Sequence, residues 1–576
     1  MANNFWLVKF NKDIEFRLNW GVNSEFKKDI TFQPKSHLLG KEKNTYASQK
    51  ETRNNDYLLD ATLTYTKDLF GSHRLKAMGG YAYQKFCSEN VFAANSDFLT
   101  DLFHSYNLSA GGDLTKSVGS EKSVTKYLSY FGRINYDIAD KYLFTFTLRA
   151  DGSDKFGSAN QFAVFPSGAF AWRISEEEFM KQQEVLSNLK LRLSVGQTGN
   201  AEIGGNAYGF YTSGANYILG NNLISGVSEN QLANPNLKWE TTTEFNVGVD
   251  FGFFNNRLTG TLEYYYKQIS DLLDSRPVGS YYPVDKVADN LGKTQSQGFE
   301  VQLNSINITN KDFTWTTNLN LYNYRDRWKE RNSYSILSVY QKETAPLHIK
   351  YGYLSDGLIQ PGETVSWMPD APAGSIKIKD INGWLKDENG NFVLDSKGRK
   401  QLSGKPDDAI DDADKTIIHN EAPDLIFGIG NTFQWKNFDL SFFFYGELGR
   451  EVYNDTRFQY MRADRIRFGD NMTTDAFDRW SSMNPQGKYP SGLYTKYDSA
   501  SDFWVENADF LRLKNLTLGY TLPKSACGKV FKNARFYVDA QNLFVLTNYT
   551  GSDPETDSFS AYPNQRTYSL GIELTF

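Results

Sequence analysis

The last nine residues of the chain, YSLGIELTF at 568–576, constrain its fold more than any other feature. Apolar or aromatic residues alternate one by one with small or polar residues, and a β-strand places alternate side chains on opposite faces. In a soluble protein such an apolar face covers a core, whereas in a membrane barrel it meets lipid and the opposite face meets a wet lumen. The same alternation recurs at 141–149 and 241–253, which predicts many strands with two unlike faces.

Composition favours the membrane alternative. The 576 residues contain no Pro/Ser-rich linker, which predicts one continuous architecture, and aromatic residues make up 15% of a chain whose mean hydropathy is −0.54. Amphipathic aromatic side chains suit a membrane–water interface. No run of eighteen apolar residues occurs, which excludes a membrane helix but not a barrel of alternating strands.

Several function classes are excluded or unsupported. A net charge of −6 argues against a nucleic-acid surface, which would be basic. Two distant cysteines, Cys87 and Cys527, make neither a zinc motif nor a disulfide framework. The five histidines show no metal-ligand spacing. No GxSxG, HExxH or Cys/His arrangement appears, so the chain is not expected to be an enzyme.

The pattern predicts an all-β protein with seventeen antiparallel strands. Around Lys514 and Asn515 the apolar residues of the alternating pattern change from odd-numbered to even-numbered positions. One extra residue in the strand would cause this change, so the pattern predicts a β-bulge there. Charges such as Glu244, Asp250, Arg257 and Glu263 could not lie in the dry core of a sandwich, and we expect a water-filled lumen to accommodate them without pairing. The predicted strands are 4–10, 13–24, 52–67, 72–86, 125–137, 141–151, 161–174, 188–199, 238–253, 257–269, 295–308, 312–326, 423–436, 438–449, 507–522, 532–546 and 565–576.

Connections between these strands alternate in length. Short turns alternate with the long segments 25–51, 87–124, 200–237, 270–294, 327–422, 450–506 and 547–564. Outer-membrane barrels have short periplasmic turns and long extracellular loops. Counted back from a periplasmic C-terminus, the first strand runs downward and the strand number is odd. We therefore expect the C-terminal part of a larger barrel, which alone would leave two open edges in lipid.

A set of short motifs points to one family. The motifs are SYFGRINY at 129–136, RADGSDKF at 149–156, FPS at 165–167, AWRISEE at 171–177, SVGQTGN at 194–200, LKWETT at 237–242, FLRLKNLTLGY at 510–520 and AQNLF at 540–544. With these motifs in this order, the chain resembles the SusC/RagA family of TonB-dependent outer-membrane transporters over essentially its whole length. The terminal Phe576 resembles the recognition signal of bacterial outer-membrane proteins.

The resemblance implies a TonB-dependent receptor β-barrel domain over residues 1–576, roughly the last 17 strands of a 22-stranded transmembrane barrel in the bacterial cell outer membrane. It implies uptake of oligosaccharides or peptides, energised by TonB–ExbB–ExbD through an N-terminal plug, with a SusD-like lipoprotein as lid. The plug and TonB box have no counterpart here, and 1–5 is no signal peptide. Independent transport by this chain alone is therefore in doubt.

Two other functions stay open at this point. The chain could form a passive pore or adhesion barrel without a plug. It could also be a soluble aromatic-rich β-protein, such as a glycan-binding sandwich or a glycosidase. A plug encoded upstream favours the importer over the pore, and folding in buffer without detergent would favour the soluble protein.

One loop carries a candidate cation site. Asp380, Asn382 and Gly383 resemble the start of the family's Asp-x-Asn-Gly-Asp-Gly calcium-type loop, which an insertion at 384–405 interrupts. On that alignment the ligands are Asp380, Asn382, Asp407, Asp411 and Asp414, because such loops offer oxygens at alternating positions. The alternative is a solvated acidic loop with Asx-turns. No cofactor is required in either case.

Aromatic residues of the long loops are candidates for the substrate path, because sugars stack on rings. Packing of the loops on themselves, or contact with the lipoprotein, explains each single residue equally well, so none is assigned to binding. The loop aromatics are Tyr208, Phe210, Tyr211, Tyr217, Tyr281, Tyr282, Tyr453, Phe458 and Tyr460.

Overall fold

The computed structural model describes residues 2–202, 207–462, 471–527, 531–556, 558–559 and 561–576. Parts of the predicted loops 200–237, 450–506 and 547–564 and of the turn after strand 507–522 lie outside the described residues. Within the described part, no helix is both long and apolar enough to cross a bilayer.

Strands dominate the described chain. They are β1 Ala2–Lys9, β2 Ile14–Gln33, β3 Tyr46–Leu69, β4 His73–Ser96, β5 Ser117–Ile138, β6 Tyr142–Ser153, β7 Phe162–Arg173, β8 Leu186–Asn200, β9 Phe210–Ser213, β10 Tyr217–Leu219, β11 Asn222–Ile224, β12 Val227–Gln231, β13 Glu240–Phe253, β14 Leu258–Ser270, β15 Leu273–Pro277, β16 Lys286–Asn290, β17 Lys293–Thr309, β18 Phe313–Glu330, β19 Ile349–Gly352, β20 Ser355–Leu358, β21 Ile376–Ile378, β22 Thr416–Asn420, β23 Leu425–Trp435, β24 Phe438–Leu448, β25 Glu451–Tyr453, β26 Val505–Asn507, β27 Phe510–Thr521, β28 Asn533–Thr547 and β29 Thr567–Thr575.

Helices are few and short. The α-helices are α1 Leu38–Glu42, α2 Asp455–Met461 and α3 Lys524–Cys527. Single turns of 3₁₀-helix lie at Asp101–Phe103, Leu108–Ala110, Asp113–Thr115, Ile174–Glu176, Glu178–Met180, Asp412–Asp414, Thr474–Asp478, Asp498–Ala500 and Asp502–Trp504.

Seventeen of the described strands belong to one sheet, which confirms the predicted all-β class and the predicted strands. They are β1 to β8, β13, β14, β17, β18, β23, β24 and β27 to β29. The remaining strands pair two by two within the long loops. In the described part, the first strand β1 pairs with β2 and the last strand β29 pairs with β28, both antiparallel.

The chain divides into two compact units. Unit 1 comprises Met1–Trp172, Ser194–Thr243 and Ser270–Leu291. Its strands β1 to β7 pair with their sequence neighbours in antiparallel hairpins. One row across β3 to β7 consists of Leu63, Gly79, Gly132, Leu148 and Pro166. The row on the opposite face consists of Thr64, Met78, Arg133, Thr147 and Ser167, which preserves the predicted contrast between the faces.

Unit 2 comprises Arg173–Leu193, Glu244–Ile269 and Gly292–Phe576. Its ladder runs β17, β18, β23, β24, β27, β28 and β29, each strand antiparallel to the next. The register shifts between Leu513 and Asn515, so Lys514 is the extra residue and the predicted bulge is confirmed.

The short connections between neighbouring strands are tight turns. In the turn between β5 and β6, Ala139 and Asp140 adopt φ angles of 56° and 55°. Two successive residues with positive φ make the type I′ turn, whose twist matches that of the flanking strands. Ala139 carries a side chain where glycine would be unstrained, which shows how strongly the two strands determine this turn.

Four strands are longer than predicted. β2, β3, β4 and β5 have 20, 24, 24 and 22 residues, so much of the predicted loops 25–51 and 87–124 is strand. A strand crosses a bilayer with about 9–11 residues. The extensions carry polar residues on both faces, as at Lys27, Lys28 and Asp29, and therefore show no alternation to predict them.

Most of the buried apolar residues in the described part lie in the long loops, and fewer lie in the large sheet. One cluster in unit 2 is formed by residues of the loops that follow β18 and precede β27 in the sequence. Its members are Tyr353, Leu358, Ile359, Val365, Met368, Ile376, Ile378 and Tyr497. By contrast, the alternating apolar residues of the sheet stay exposed, for example Phe146 at 58% and Leu570 at 86%. This distribution is expected of a wall whose apolar face meets lipid.

Candidate functional site

The polar face of the sheet in unit 2 forms a wall of amides and hydroxyls. Asn304, Asn318, Gly430, Phe443 and Asn515 form one row across five strands. Asn318 Nδ2 donates to Asn304 Oδ1 at 2.5 Å. A groove of 440 Å³ lies along this wall and also contacts Thr259, Thr316, Thr432 and Ser441. Alternation of Asn and Thr with apolar residues was the sequence signal for these residues, and we had not singled them out.

Charges on the polar face of unit 2 are paired, contrary to our expectation for Asp250 and Glu263. Arg192 donates to both oxygens of Asp250, from Nε at 2.9 Å and from Nη2 at 2.8 Å, and also to Glu263. The guanidinium is only partly exposed, and partial burial favours a matched partner over free hydration. The expectation was wrong because Arg192 lies in a different hairpin.

The structure brings the five candidate cation ligands into one loop. The Asp380 carboxylate accepts the main-chain N–H of Asp407 at 3.1 Å and of Asp408 at 2.7 Å. Asp414 is fully buried and accepts the N–H groups of Ile381 at 2.9 Å and Asp411 at 3.0 Å. Both carboxylates therefore hold the two halves of the split motif together through main-chain hydrogen bonds.

The other ligand candidates lie beside them. Asn382 Oδ1 accepts the N–H of Gly404 at 2.8 Å, and Asp411 Oδ2 accepts the indole N–H of Trp384 at 2.6 Å. The Asp407 side chain contacts Gly383 so closely that a Cβ there would collide with it. Within the described ranges, no three His, Cys, Asp or Glu residues are arranged to hold a metal ion. The calcium-type site stays a prediction.

Burial affects the electrostatics of this loop. Desolvation raises the pKa of Asp414 above its usual value, while the main-chain N–H groups of Asp411, Ile381 and Asn382 oppose that rise. A bound cation would favour the ionised carboxylate in the same way. The loop therefore has the side-chain oxygens that a hard cation prefers. These oxygens already accept hydrogen bonds from N–H groups of the same loop.

Calcium titration tests the predicted site. If the loop binds calcium, isothermal titration of the purified protein should give a Kd of roughly 1 mM or tighter, as for extracellular modules. Asp380→Asn should weaken binding at least tenfold. Asp387→Asn is the matched control, because Asp387 lies in an exposed turn of the insertion and accepts the N–H groups of Asn389 and Asn391. Binding weaker than millimolar in the wild type contradicts the prediction.

The loop aromatics divide into two groups. Phe458 is buried against Met461 and Trp504, with Tyr453 beside them, so packing within the loop explains these residues. The others are exposed to solvent, Tyr460 at 39% and Tyr281 at 99% marking the extremes. The exposed group is Tyr208, Phe210, Tyr211, Tyr217, Tyr281, Tyr282 and Tyr460.

A cavity of 270 Å³ lies against the buried aromatics of unit 2. Phe458, Met461 and Trp504 supply its apolar lining, and Asp498 supplies a carboxylate that is 9% exposed. Burial raises the pKa of Asp498 to about 6, although the guanidinium of Arg479 acts in the opposite direction. The charged form of Asp498 is therefore costly at neutral pH.

The raised pKa of Asp498 predicts that the stability of the folded protein depends on pH. The folded protein keeps a proton on Asp498 up to about pH 6, whereas the unfolded chain releases it near the usual aspartate pKa of 3.8. Stability should therefore fall as pH rises from about 4 to about 6, by roughly 3 kcal/mol. Asp498→Asn should remove this part of the profile of thermal unfolding. Superimposable profiles for both proteins would contradict the assignment.

Comparison with known proteins identifies the family. A family model described as TonB dependent receptor-like, beta-barrel matches residues 2–543. The chain is 32% identical over its full length to TonB-dependent receptor P3 of Formosa agariphila, of which it covers 58%. It is 34% identical over 78% of its length to TonB-dependent receptor SusC of Bacteroides thetaiotaomicron, of which it covers 44%.

A solved structure shows the same fold. The RagAB peptide transporter superposes with a TM-score of 0.82 at 24% identity, over 100% of this chain and 61% of that chain. The chain thus spans about three fifths or less of the length of these relatives. The expected SusC/RagA resemblance is confirmed. The chain belongs to the TonB-dependent receptor β-barrel family of the bacterial outer membrane.

Proposed function

We propose that this chain forms the barrel wall of an outer-membrane importer that takes up oligosaccharides or peptides. One observation carries the proposal: in unit 2 the sheet has a polar face rich in Asn, Thr and Ser side chains opposite an apolar, exposed face. A wet lumen requires the first face and lipid requires the second. The names SusC and RagAB peptide transporter, carried by similar proteins, support transport as the class of activity.

The proposal includes the source of energy and a partner. TonB–ExbB–ExbD would act through a plug, and a SusD-like lipoprotein would cover the extracellular loops. The exposed loop aromatics, such as Tyr211 and Tyr281, suit contact with a ligand or with that lid, because large amphipathic rings carry contact energy at low entropic cost. We also propose that the chain has no enzymatic role, in keeping with similar receptors and transporters.

Uptake measurements in the source bacterium test the proposal. Cells lacking this gene should accumulate at least tenfold less of one fluorescent substrate class, either oligosaccharide or peptide, and a strain lacking TonB should show the same loss. Restoring the gene should restore uptake. A passive pore is the second candidate, and uptake that persists without TonB would establish it instead.

The lid is tested separately. Affinity purification of the natural protein from outer membranes should recover a SusD-like lipoprotein in about one-to-one ratio. Deleting the exposed hairpin of β10 and β11 should lower the recovery of the lipoprotein if the exposed loops contribute to this contact. Recovery of the receptor alone under gentle detergent conditions would contradict the partnership while leaving the transport proposal standing.

A further inference from the structure

Two lysines face each other on the apolar face of unit 1. Lys85 of β4 and Lys126 of β5 are direct partners in the antiparallel register. Directly opposed residues have Cβ atoms about 4.5–5.5 Å apart, and like charges in this position destabilise a sheet. In the described ranges neither ammonium group forms an ion pair. The nearby Asp154 accepts the main-chain N–H of Lys126 at 3.0 Å.

Other charged partners on this face are matched. Lys28 faces Glu51 and their charged atoms lie 3.0 Å apart. Lys122 faces Glu89 at 2.6 Å. The juxtaposed pair Lys85 and Lys126 therefore stands out, because an anion from outside the protein would relieve its repulsion.

The pair lies at one border of the apolar band. Tyr57 is the neighbour of Lys85 on β3, and the Lys85 ammonium group lies 5.8 Å from the centre of the Tyr57 ring. From there β4 and β5 continue away from the bilayer into a long loop, the feature that marks the extracellular rim. Aromatic and basic residues together are typical of the headgroup level of a membrane.

An apolar groove lies deeper on the same face. Gly79 and Gly132 are direct partners and leave its floor without side chains, and the position of a Cβ on Gly79 is open space. The groove measures 630 Å³. Its walls are Leu63, Ile134, Phe146 and Leu148.

The depth of the groove matches one leaflet. Gly79 and Lys85 are six residues apart on β4, which corresponds to about 20 Å along an antiparallel strand. At a tilt of about 45° this is roughly 14 Å of depth, or half of a hydrocarbon core about 30 Å thick. A lipid whose headgroup contacts Lys85 and Lys126 would therefore reach the groove with the end of an acyl chain.

We propose that the outer face of β3 to β5 binds a lipid of the outer leaflet whose phosphate headgroup carries a net negative charge. Lys85 and Lys126 hold the phosphate, Tyr57 packs at the headgroup level, and the groove above Gly79 and Gly132 receives an acyl chain. This site lies on the apolar face of unit 1 and does not depend on which substrate crosses the lumen.

Native mass spectrometry of the natural protein in detergent tests the headgroup contact. Phosphatidylglycerol should be retained in preference to phosphatidylcholine with the same chains. Lys85→Gln with Lys126→Gln should reduce that preference roughly 30-fold, since each lysine contributes about 1 kcal/mol to binding of an anionic surface. Lys50→Gln is the matched control, because Lys50 lies on the opposite face of β3 and faces Asp29. An unchanged preference in the double variant would overturn the proposal.

A second variant tests the groove. Gly132→Leu adds a side chain to open space, so the barrel should fold, and binding of long-chain phosphatidylglycerol should fall at least threefold. Binding of inorganic phosphate should be unchanged by Gly132→Leu. Equal lipid binding by the wild type and Gly132→Leu would contradict the proposal that the groove receives an acyl chain. Loss of a protein dimer rather than of lipid would identify the groove as an interface between two copies and overturn the lipid assignment.

Discussion

Replacing Asp553 with alanine should destabilise the protein by about 3–5 kcal/mol, because the buried Arg512 guanidinium loses one of its two carboxylate partners, Asp553 and Glu555, and a main-chain N–H also loses its acceptor. Arg512 and Asp553 have side chains that are both 3% exposed, and Arg512 Nη2 lies 2.5 Å from Asp553 Oδ1. Asp553 Oδ2 also accepts the N–H of Asn564 at 3.0 Å. The pair therefore joins the connection after β28 to the wall strand β27. Thermal unfolding and protease cleavage of 548–566 would measure the loss.

Two controls separate this pair from ordinary ion pairs. Asp113→Ala removes the partner of Lys116 at 2.5 Å, but Asp113 is 91% exposed, so stability should hardly change. Arg512→Met combined with Asp553→Leu removes both charges and should recover part of the lost stability, because Glu555, the other partner of Arg512, keeps its ion pair with Lys514 and no charge stays buried alone. An Asp553→Ala protein as stable as the Asp113→Ala protein would contradict the assignment.

A cation placed on the apolar face should be the second severe change. Ile134→Arg puts a guanidinium at the level of Ala77 and Phe146, where lipid surrounds the wall, and should cost about 2–4 kcal/mol. Asn135→Arg is the neighbouring control on the polar face. It should cost at most the hydrogen bond between Asn135 and Thr145, about 1 kcal/mol.

Urea unfolding from lipid vesicles can compare these two variants directly. Ile134→Arg should unfold at a clearly lower urea concentration than the wild type, or fail to insert, while Asn135→Arg should behave nearly like the wild type. If both variants lost the same stability, the two faces of β5 would not differ in their surroundings.

Alternation predicted the sheet because lipid and water impose it residue by residue. Strand β6 shows this, with Phe144, Phe146 and Leu148 on one face and Thr145 and Thr147 on the other. The extensions of β2 to β5 into the predicted loops 25–51 and 87–124 were not predicted. Water on both faces of these extensions allows successive polar residues such as Lys27 and Lys28, so no alternation marks them as strand. Local pattern therefore identifies a strand only where its two faces meet different solvents.

Non-local contacts were not predictable from one sequence. The motif around Asp380 and Asp414 indicated a shared loop, but not that main-chain N–H groups would occupy the carboxylates. Arg512 pairs with a residue 41 positions away, and Arg192 with Asp250 at a separation of 58. Such partners become visible only when the register of distant hairpins is known.

Cysteine scanning of β6 in lipid vesicles tests the central claim, that one face of this wall meets lipid and the other water. In a variant without Cys87 and Cys527, fluorophores at Phe144, Phe146 and Leu148 should be quenched by brominated acyl chains. Fluorophores at Thr145 and Thr147 should be quenched by aqueous iodide instead. Quenching without this period of two, or outward positions shielded from lipid by protein, would contradict the membrane wall described above.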